Sequence, residues 1–278
     1  MRIRLAHSPD PDDAFMFYAL AKNKIPAGGF EFEHILSDIE TLNRLAFEGT
    51  YEVTALSLHA FAYVMDKYTL LPNGASIGKG YGPIVVARKP MTAAELKNIR
   101  IAIPGKYTTA ALVLGIAIGE YASAILPFDR IMDAVISGEA EAGLLIHEGQ
   151  LTHPQSGLVK VLDLGEWWEK QTGLPLPLGV DAYRTDLGAE TGNALAKIFD
   201  ESIRYAMDHE DAAVEYSMQF GRGLDRETAR KFIRMYVNER TLSYSPDEEK
   251  AIRLVLDEGF RKGFLPFKPD RLAMLPQT

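Results

Sequence analysis

Cysteine is absent from the chain, which excludes disulfides, thiolate nucleophiles and cysteine-ligated zinc. The six histidines are scattered, and none falls in an H-E-x-x-H or similar metal-ligand spacing, so no metal site is expected. No stretch approaches the roughly 18 to 20 continuous apolar residues that a membrane span requires. Basic residues are outnumbered, 30 Lys and Arg against 38 Asp and Glu, and a formal net charge of −8 argues against a general phosphate-backbone binder. Neither nucleic acid nor membrane is therefore expected as a partner. A dinucleotide fingerprint is missing too. The glycine-rich run from Gly74 to Gly82 is not G-x-G-x-x-G, and it precedes a strand instead of joining a strand to a helix. The first residues, Met1 to Pro9, lead directly into a short strand with no long apolar segment and no small-residue cleavage site, which points to a cytoplasmic protein.

What is present suits a globular α/β protein. With 278 residues, 47% of them hydrophobic, the chain can fill one large domain or two ordinary lobes. Short β-type runs alternate with helical ones, which predicts mostly parallel sheets flanked by helices. The first series comprises strands at 2–7, 30–36, 51–58 and 82–89, with helices at 10–22, 38–48 and 59–67. A second begins after Lys89-Pro90 with a strand at 100–103, helices at 108–121 and 129–137, a strand ending at His147 and another at 158–164. The run Leu174-Pro-Leu-Pro-Leu-Gly179 reads as an extended crossover, and helices are expected at 190–209, 211–220, 225–238 and 246–262. This order describes two lobes, with residues 1–90 and 178–278 in the first and 91–177 inserted as the second. Such a pair can close on a ligand held between them.

Three strand ends carry candidate chemistry. A helix-ending glycine, Gly138, leads into an apolar strand that delivers His147 and Glu148 at its carboxyl end, where open α/β sheets bind ligands. Histidine suits proton transfer near neutral pH, so His147 is a candidate general base, although position alone favours a hydrogen-bonded cleft or surface residue. In Pro104-Gly105-Lys106-Tyr107-Thr108-Thr109 a strand stops and a helix begins with two hydroxyls, an arrangement for holding a carboxylate or phosphate, or for ordinary capping by Thr108. Ala55-Leu56-Ser57 repeats the pattern in the first lobe, with the same two readings for Ser57. Asp10, Asp12 and Asp13 look like a metal-binding carboxylate cluster, but their Ser-Pro-Asp-Pro frame favours a helix start. Trp167-Trp168 reads as a packing cluster. The acids 247–249 suit the first turn of a helix, and His153 and His209 have no evident chemical partners.

Several of these motifs occur together in order: Ser8-Pro9-x-Pro11-x-Asp13 with Phe15-x-Phe17-Tyr18-Ala19-Leu20, Asp38-Ile39-Glu40-Thr41-Leu42-Asn43-Arg44, Pro104-Gly105-x-x-Thr108-Thr109, Ile146-His147-Glu148 and residues 173–179. The series resembles the 1,4-dihydroxy-6-naphthoate synthase family of the futalosine route to menaquinone, over most of residues 1–180 and more weakly beyond. The resemblance implies a two-lobed fold similar to periplasmic binding proteins of type II and a cofactor-free lyase that converts cyclic dehypoxanthine futalosine to 1,4-dihydroxy-6-naphthoate. It further implies that His147 is the proton acceptor, that Thr108 and Thr109 are a substrate-binding pair, and that Ala55, Leu56 and Ser57 form a second substrate-binding segment. The expected partner is a small anionic organic substrate, the expected assembly a monomer or homodimer. The chain departs from the family pattern in carrying Ala55 where the family commonly has Lys, and Asp10 and Asp12 where it more often has Cys and Asn. These changes make the first-lobe wall less positive. The alternatives are a solute-binding protein for a small organic acid, which the start of the chain argues against, and a related chorismate-dehydrating enzyme, which the Ile-His-Glu and Thr-Thr motifs fit less well.

Overall fold

A computed structural model describes residues 1–269 and 272–276 and contains two sheets flanked by helices. The first is built from β1 (Arg2–His7), β2 (Glu31–Leu36), β3 (Val53–Ser57), β4 (Tyr68–Leu70), β5 (Ser76–Gly78) and β11 (Leu176–Arg184). The second contains β6 (Ile84–Ala87), β7 (Arg100–Ile103), β8 (Ala122–Ile125), β9 (Ala142–Leu145) and β10 (Val159–Asp163).

The expected parallel pairing holds where strand and helix alternate. β1 runs parallel to β2 and β3, and β7 runs parallel to β8 and β9. It fails where the chain changes sheet. β11 is antiparallel to β3, with Gly179 opposite Ser57, and β6 is antiparallel to β9, with Ile84 opposite Leu145. Both results have one cause. A strand arriving from the other sheet starts beside the gap between them, whereas β3 and β9 end there, so the directions oppose. The sheets are accordingly mixed.

Sheet membership also reassigns β6. The sequence pattern groups it with the first lobe, but it is hydrogen-bonded between β9 and β10 in the second sheet. The chain thus crosses between Gly78 and Ile84, and returns between Asp163 and Leu176. The proline-rich segment read as a crossover is mainly the start of nine-residue β11. β8 has no counterpart in the sequence reading, because its Ala-Ser-Ala-Ile residues form a largely exposed edge without apolar alternation.

Helices form where their ends are marked. Asp38, Thr108, Asp225 and Ser245 each accept a backbone N–H at an amino terminus, and Ser245 and Glu248 complete a capping box that accounts for the acids following it. The helix expected over 10–22 is divided into Pro11–Met16 and Tyr18–Ala21. That expected over 59–67 is confined to Leu58–Phe61, and that over 108–121 ends at Ile118, where Gly119 turns to positive φ. The C-terminal helices Gly188–Asp208, Glu210–Ser217 and Arg226–Tyr236 pack behind β1, placing Phe199, Ile203, Val214 and Ile233 in a core with Ile3, Leu5 and Phe17. A second core joins Leu56, Phe61, Leu112, Trp168 and Ile252. Trp168 is buried and donates to the carbonyl of Pro175, so the tryptophan pair packs as expected. Among the described residues no helix is long and apolar enough to cross a membrane.

Candidate active site

β1, β3, β7 and β9 all end at one cleft, which brings His147, Thr108, Thr109, Ala55, Leu56 and Ser57 to its walls. Asp10, Asp12, Asp13 and Asp181 line it as well, whereas among the described residues no Lys or Arg does. Ala55 therefore has no lysine or arginine beside it on this wall among the described residues.

His147 follows β9 in the left-handed backbone region, at φ 52°. This is uncommon for a residue with a β-carbon and is found most often where a site over-determines it. Its Nδ1 lies 3.0 Å from Oδ2 of Asp10, with Asp10 buried. Asp10 is also the N-cap of Pro11–Met16, its Oδ1 accepting from the Asp13 amide at 3.2 Å. Burial works against ionising Asp10, but the charge of His147 and hydrogen bonds from His147 and Asp12 outweigh it and hold the carboxyl below the usual range. An ionised Asp10 accepts the Nδ1 proton and leaves Nε2 as the basic nitrogen of the neutral ring. Nε2 is buried and has no hydrogen-bond partner.

The imidazole is held from its second side by Phe128, whose ring stands edge-on at 4.9 Å. On the other face of Phe128 lies the Arg222 guanidinium, 4.6 Å from the ring centroid. Arg222 makes two bonds to Glu148, at 2.7 and 3.1 Å, and donates to the Pro9 carbonyl at 2.8 Å. It therefore ties the loop after β1 to the residue next to His147. Tyr236 makes a second buried tie to the segment after His147, donating to Oε1 of Gln150 at 2.8 Å.

The opposite wall is assembled by Asn43. Its amide donates to Ser57 Oγ at 3.0 Å, and its carbonyl accepts from the Ser57 amide at 2.9 Å. Ser57 stands at the N-cap of Leu58–Phe61 but makes no side-chain capping bond, so the capping interpretation of its hydroxyl does not apply. Thr108 does cap its helix, accepting from the Ala111 amide while donating to the Gly105 carbonyl. Thr109 Oγ1 accepts from the His59 amide and donates to the Leu178 carbonyl, linking this helix to both neighbouring segments. The threonine hydroxyls are engaged within the protein, and what Thr109 and Ala110 can still offer a ligand is the open first turn of a ten-residue helix.

Burial pushes Asp12 and Asp13 well above the usual carboxylate range, assisted by the neighbouring Asp10 charge. It pushes Asp181 up to about 8. Asp181 therefore keeps its proton near neutral pH and can donate a hydrogen bond, and burial favours the same neutral form in Asp12 and Asp13. The Asp10-Asp12-Asp13 run does start a helix, as its frame suggests, and the same turn faces the cleft. Asn43 lies in a family-like motif, but no spacing rule connects it to Ser57. Asp181, Gln150 and Tyr236 carry no sequence signal of a site because each reaches the cleft only through tertiary packing.

Comparison with known proteins places the geometry in context. The family model described as menaquinone biosynthesis matches residues 3–261. A curated 1,4-dihydroxy-6-naphtoate synthase of Thermus thermophilus is 40% identical over 267 residues, covering 96% of this chain and 97% of that protein. Its namesake from Streptomyces coelicolor is 36% identical, with 98% of each chain covered. A crystal structure of a protein from Archaeoglobus fulgidus superposes with a TM-score of 0.92 at 48% identity, covering 95% of this chain and 98% of that one. The alkanesulfonate-binding protein of Xanthomonas axonopodis pv. citri, at 13% identity, matches with a TM-score of 0.73 over 98% of this chain and 96% of its own, a likeness of fold alone. The two-sheet architecture is that of periplasmic binding proteins. With the family match spanning nearly the whole chain and full-length relatives at 36–40% identity, the chain belongs to the menaquinone biosynthesis family.

Proposed function

We propose that this protein is a cytoplasmic lyase of menaquinone biosynthesis that converts cyclic dehypoxanthine futalosine to 1,4-dihydroxy-6-naphthoate, with His147 as general base. The observation that carries the role of His147 is its orientation: Nδ1 on the Asp10 carboxylate and Nε2 unpartnered and buried at the cleft. The curated relatives, named as synthases of this compound, support the product. Nε2 takes a proton from the substrate's carbon framework, and the imidazolium so formed is stabilised by Asp10. The electron pair left behind forms a carbon–carbon double bond and breaks the adjacent bond to a ring oxygen; the ring opens, that oxygen takes up the proton from the imidazolium, and aromatisation of the product makes the step favourable.

The remaining groups bind and orient. Amides of the helix beginning at Thr109 hold substrate oxygens, and the hydroxyl of Ser57, positioned by Asn43, donates to another. The neutral acids Asp13 and Asp181 supply further donors. Recognition of an anionic substrate thus rests on dipoles and neutral donors.

Incubation of the purified chain with cyclic dehypoxanthine futalosine and mass detection of the naphthoate tests the reading. Product is expected from the native chain, with a loss of about 10²- to 10⁴-fold in His147→Ala. Absence of product from the native chain rejects the substrate, and unchanged turnover in the variant rejects the base.

A further inference from the structure

We propose that Asp10, Asp12 and His147 form a binding site for a divalent transition cation of the zinc class within the cleft. One donor atom from each side chain lies within 4.8 Å of the other two. All three residues line the cleft, so an ion there is reachable by solutes. Asp12 is only 5% exposed, yet its Oδ1 has no hydrogen-bond partner, and neither has Nε2 of His147. A buried carboxylate oxygen is costly to leave unsatisfied. A cation among these donors would satisfy it.

The spacing fits. Two ligands about 2.1 Å from one zinc ion stand on the order of 3.0 to 3.4 Å apart, depending on the coordination angle. The separation of His147 Nδ1 and Asp10 Oδ2 is 3.0 Å. An ion can therefore replace the proton between them without driving the pair apart, and Asp12 Oδ1 provides a third donor. Asp13 is differently engaged, its Oδ2 accepting from the Ser8 amide at 2.7 Å. The incoming ion displaces the proton that burial favours on Asp12, so that Asp10 and Asp12 as carboxylates with a neutral imidazole balance a dication. Among the described residues no lysine or arginine lines the cleft, and the nearby Arg222 is paired with Glu148. The donor set also selects. Magnesium and calcium favour all-oxygen shells, whereas imidazole with carboxylate suits zinc and its first-row neighbours. Three protein ligands leave a coordination position for water or a ligand oxygen.

This site goes beyond the proposed lyase activity and competes with it. With a cation on Nδ1, the proton of the neutral imidazole resides on Nε2, which can no longer accept one from carbon. The cation is then an inhibitor that a chelator reverses. Binding itself needs neither substrate nor turnover, so its measurement stands apart from the test of the reaction.

Equilibrium dialysis of the metal-stripped full-length chain against Zn²⁺ near neutral pH, with metal counted per chain, tests the site. One zinc per chain with micromolar or tighter affinity is expected, weakened by about tenfold or more in Asp12→Asn and in His147→Ala. Asp12→Asn keeps the shape of the side chain and leaves the Asp10 cap in place, and circular dichroism verifies the fold of each variant. With Co²⁺ as probe, a visible d–d absorption band is expected in the native chain and its loss in His147→Ala. No saturable zinc binding below millimolar concentration overturns the proposal. So does binding that survives both substitutions in folded protein.

Discussion

Asp10 stands behind His147, its Oδ2 3.0 Å from Nδ1 of the imidazole, although the two residues belong to loops at the ends of strands in different sheets. Asp10 simultaneously caps a helix through its other oxygen. One carboxylate thus connects the helix start after β1 to the histidine that follows β9.

This pairing makes Asp10→Asn informative. Asn caps helices as well as Asp does, so the fold should be kept. The negative charge behind the imidazole is lost. A fall in kcat of about 10- to 100-fold is expected with little change in KM. Steady-state kinetics and circular dichroism on the variant check this, and an unchanged kcat in folded protein would show that Asp10 contributes structure alone.

Arg222 should govern how firmly the cleft is held together. Arg222→Ala removes both bonds to Glu148, the bond to the Pro9 carbonyl and the cover over Phe128. A loss of about 1–3 kcal/mol in unfolding free energy and a several-fold rise in KM are expected. Arg222→Lys should restore little, since one ammonium cannot reproduce the two-pronged contact. Denaturant melts and steady-state kinetics on both variants decide the matter.

Stability should fall between pH 6.5 and 8 because of Asp181. Its carboxyl is protonated in the folded protein up to about pH 8, whereas the unfolded chain releases that proton near 3.8, as an ordinary aspartate does. The folded state therefore binds more protons throughout this interval, and stability declines as pH rises, by up to about 1.4 kcal/mol per pH unit for one group. His7 and His59, both held down to about 4 by burial, act in the opposite direction below pH 6.5 and not above it. Asp181→Asn should flatten the slope over this interval. Chemical denaturation at pH 6.5, 7.25 and 8 would show no difference in slope if the Asp181 assignment were wrong.

Gly105 is expected to resist any side chain. A β-carbon there would collide with the Glu40 carboxylate, which accepts the Tyr107 amide at 3.0 Å and pairs with Arg44. Gly105→Ala should cost about 1–3 kcal/mol and displace the start of the Thr109–Ile118 helix. A lowered melting temperature with raised KM is the expected result, and a neutral melt would rule out the close approach.

Much of the framework is written in local pattern. Apolar alternation and caps at Asp38, Thr108 and Ser245 mark strands and helices because these depend on residues near in sequence. β8 escaped this logic as an exposed edge, and β6 was assigned to the wrong sheet because a strand's periodicity says which face is buried and nothing about its neighbour. His147 and the segments at Ser57 and Thr108 were legible as strand-end residues.

Their roles were another matter. Whether a threonine at a helix start caps, binds or bridges depends on acceptors that arrive from elsewhere, and for Thr109 these are Leu178 and His59. Ser57 turned out to answer to Asn43, and Asp181 became an acid that keeps its proton only because packing removes water from it. The sequence by itself determined most of the elements and the family, and placed His147 at the end of a strand. Tertiary structure alone decided that an aspartate from one lobe would orient that histidine from the other, because hydrogen bonds and desolvation act through distances of a few ångströms that no linear spacing records.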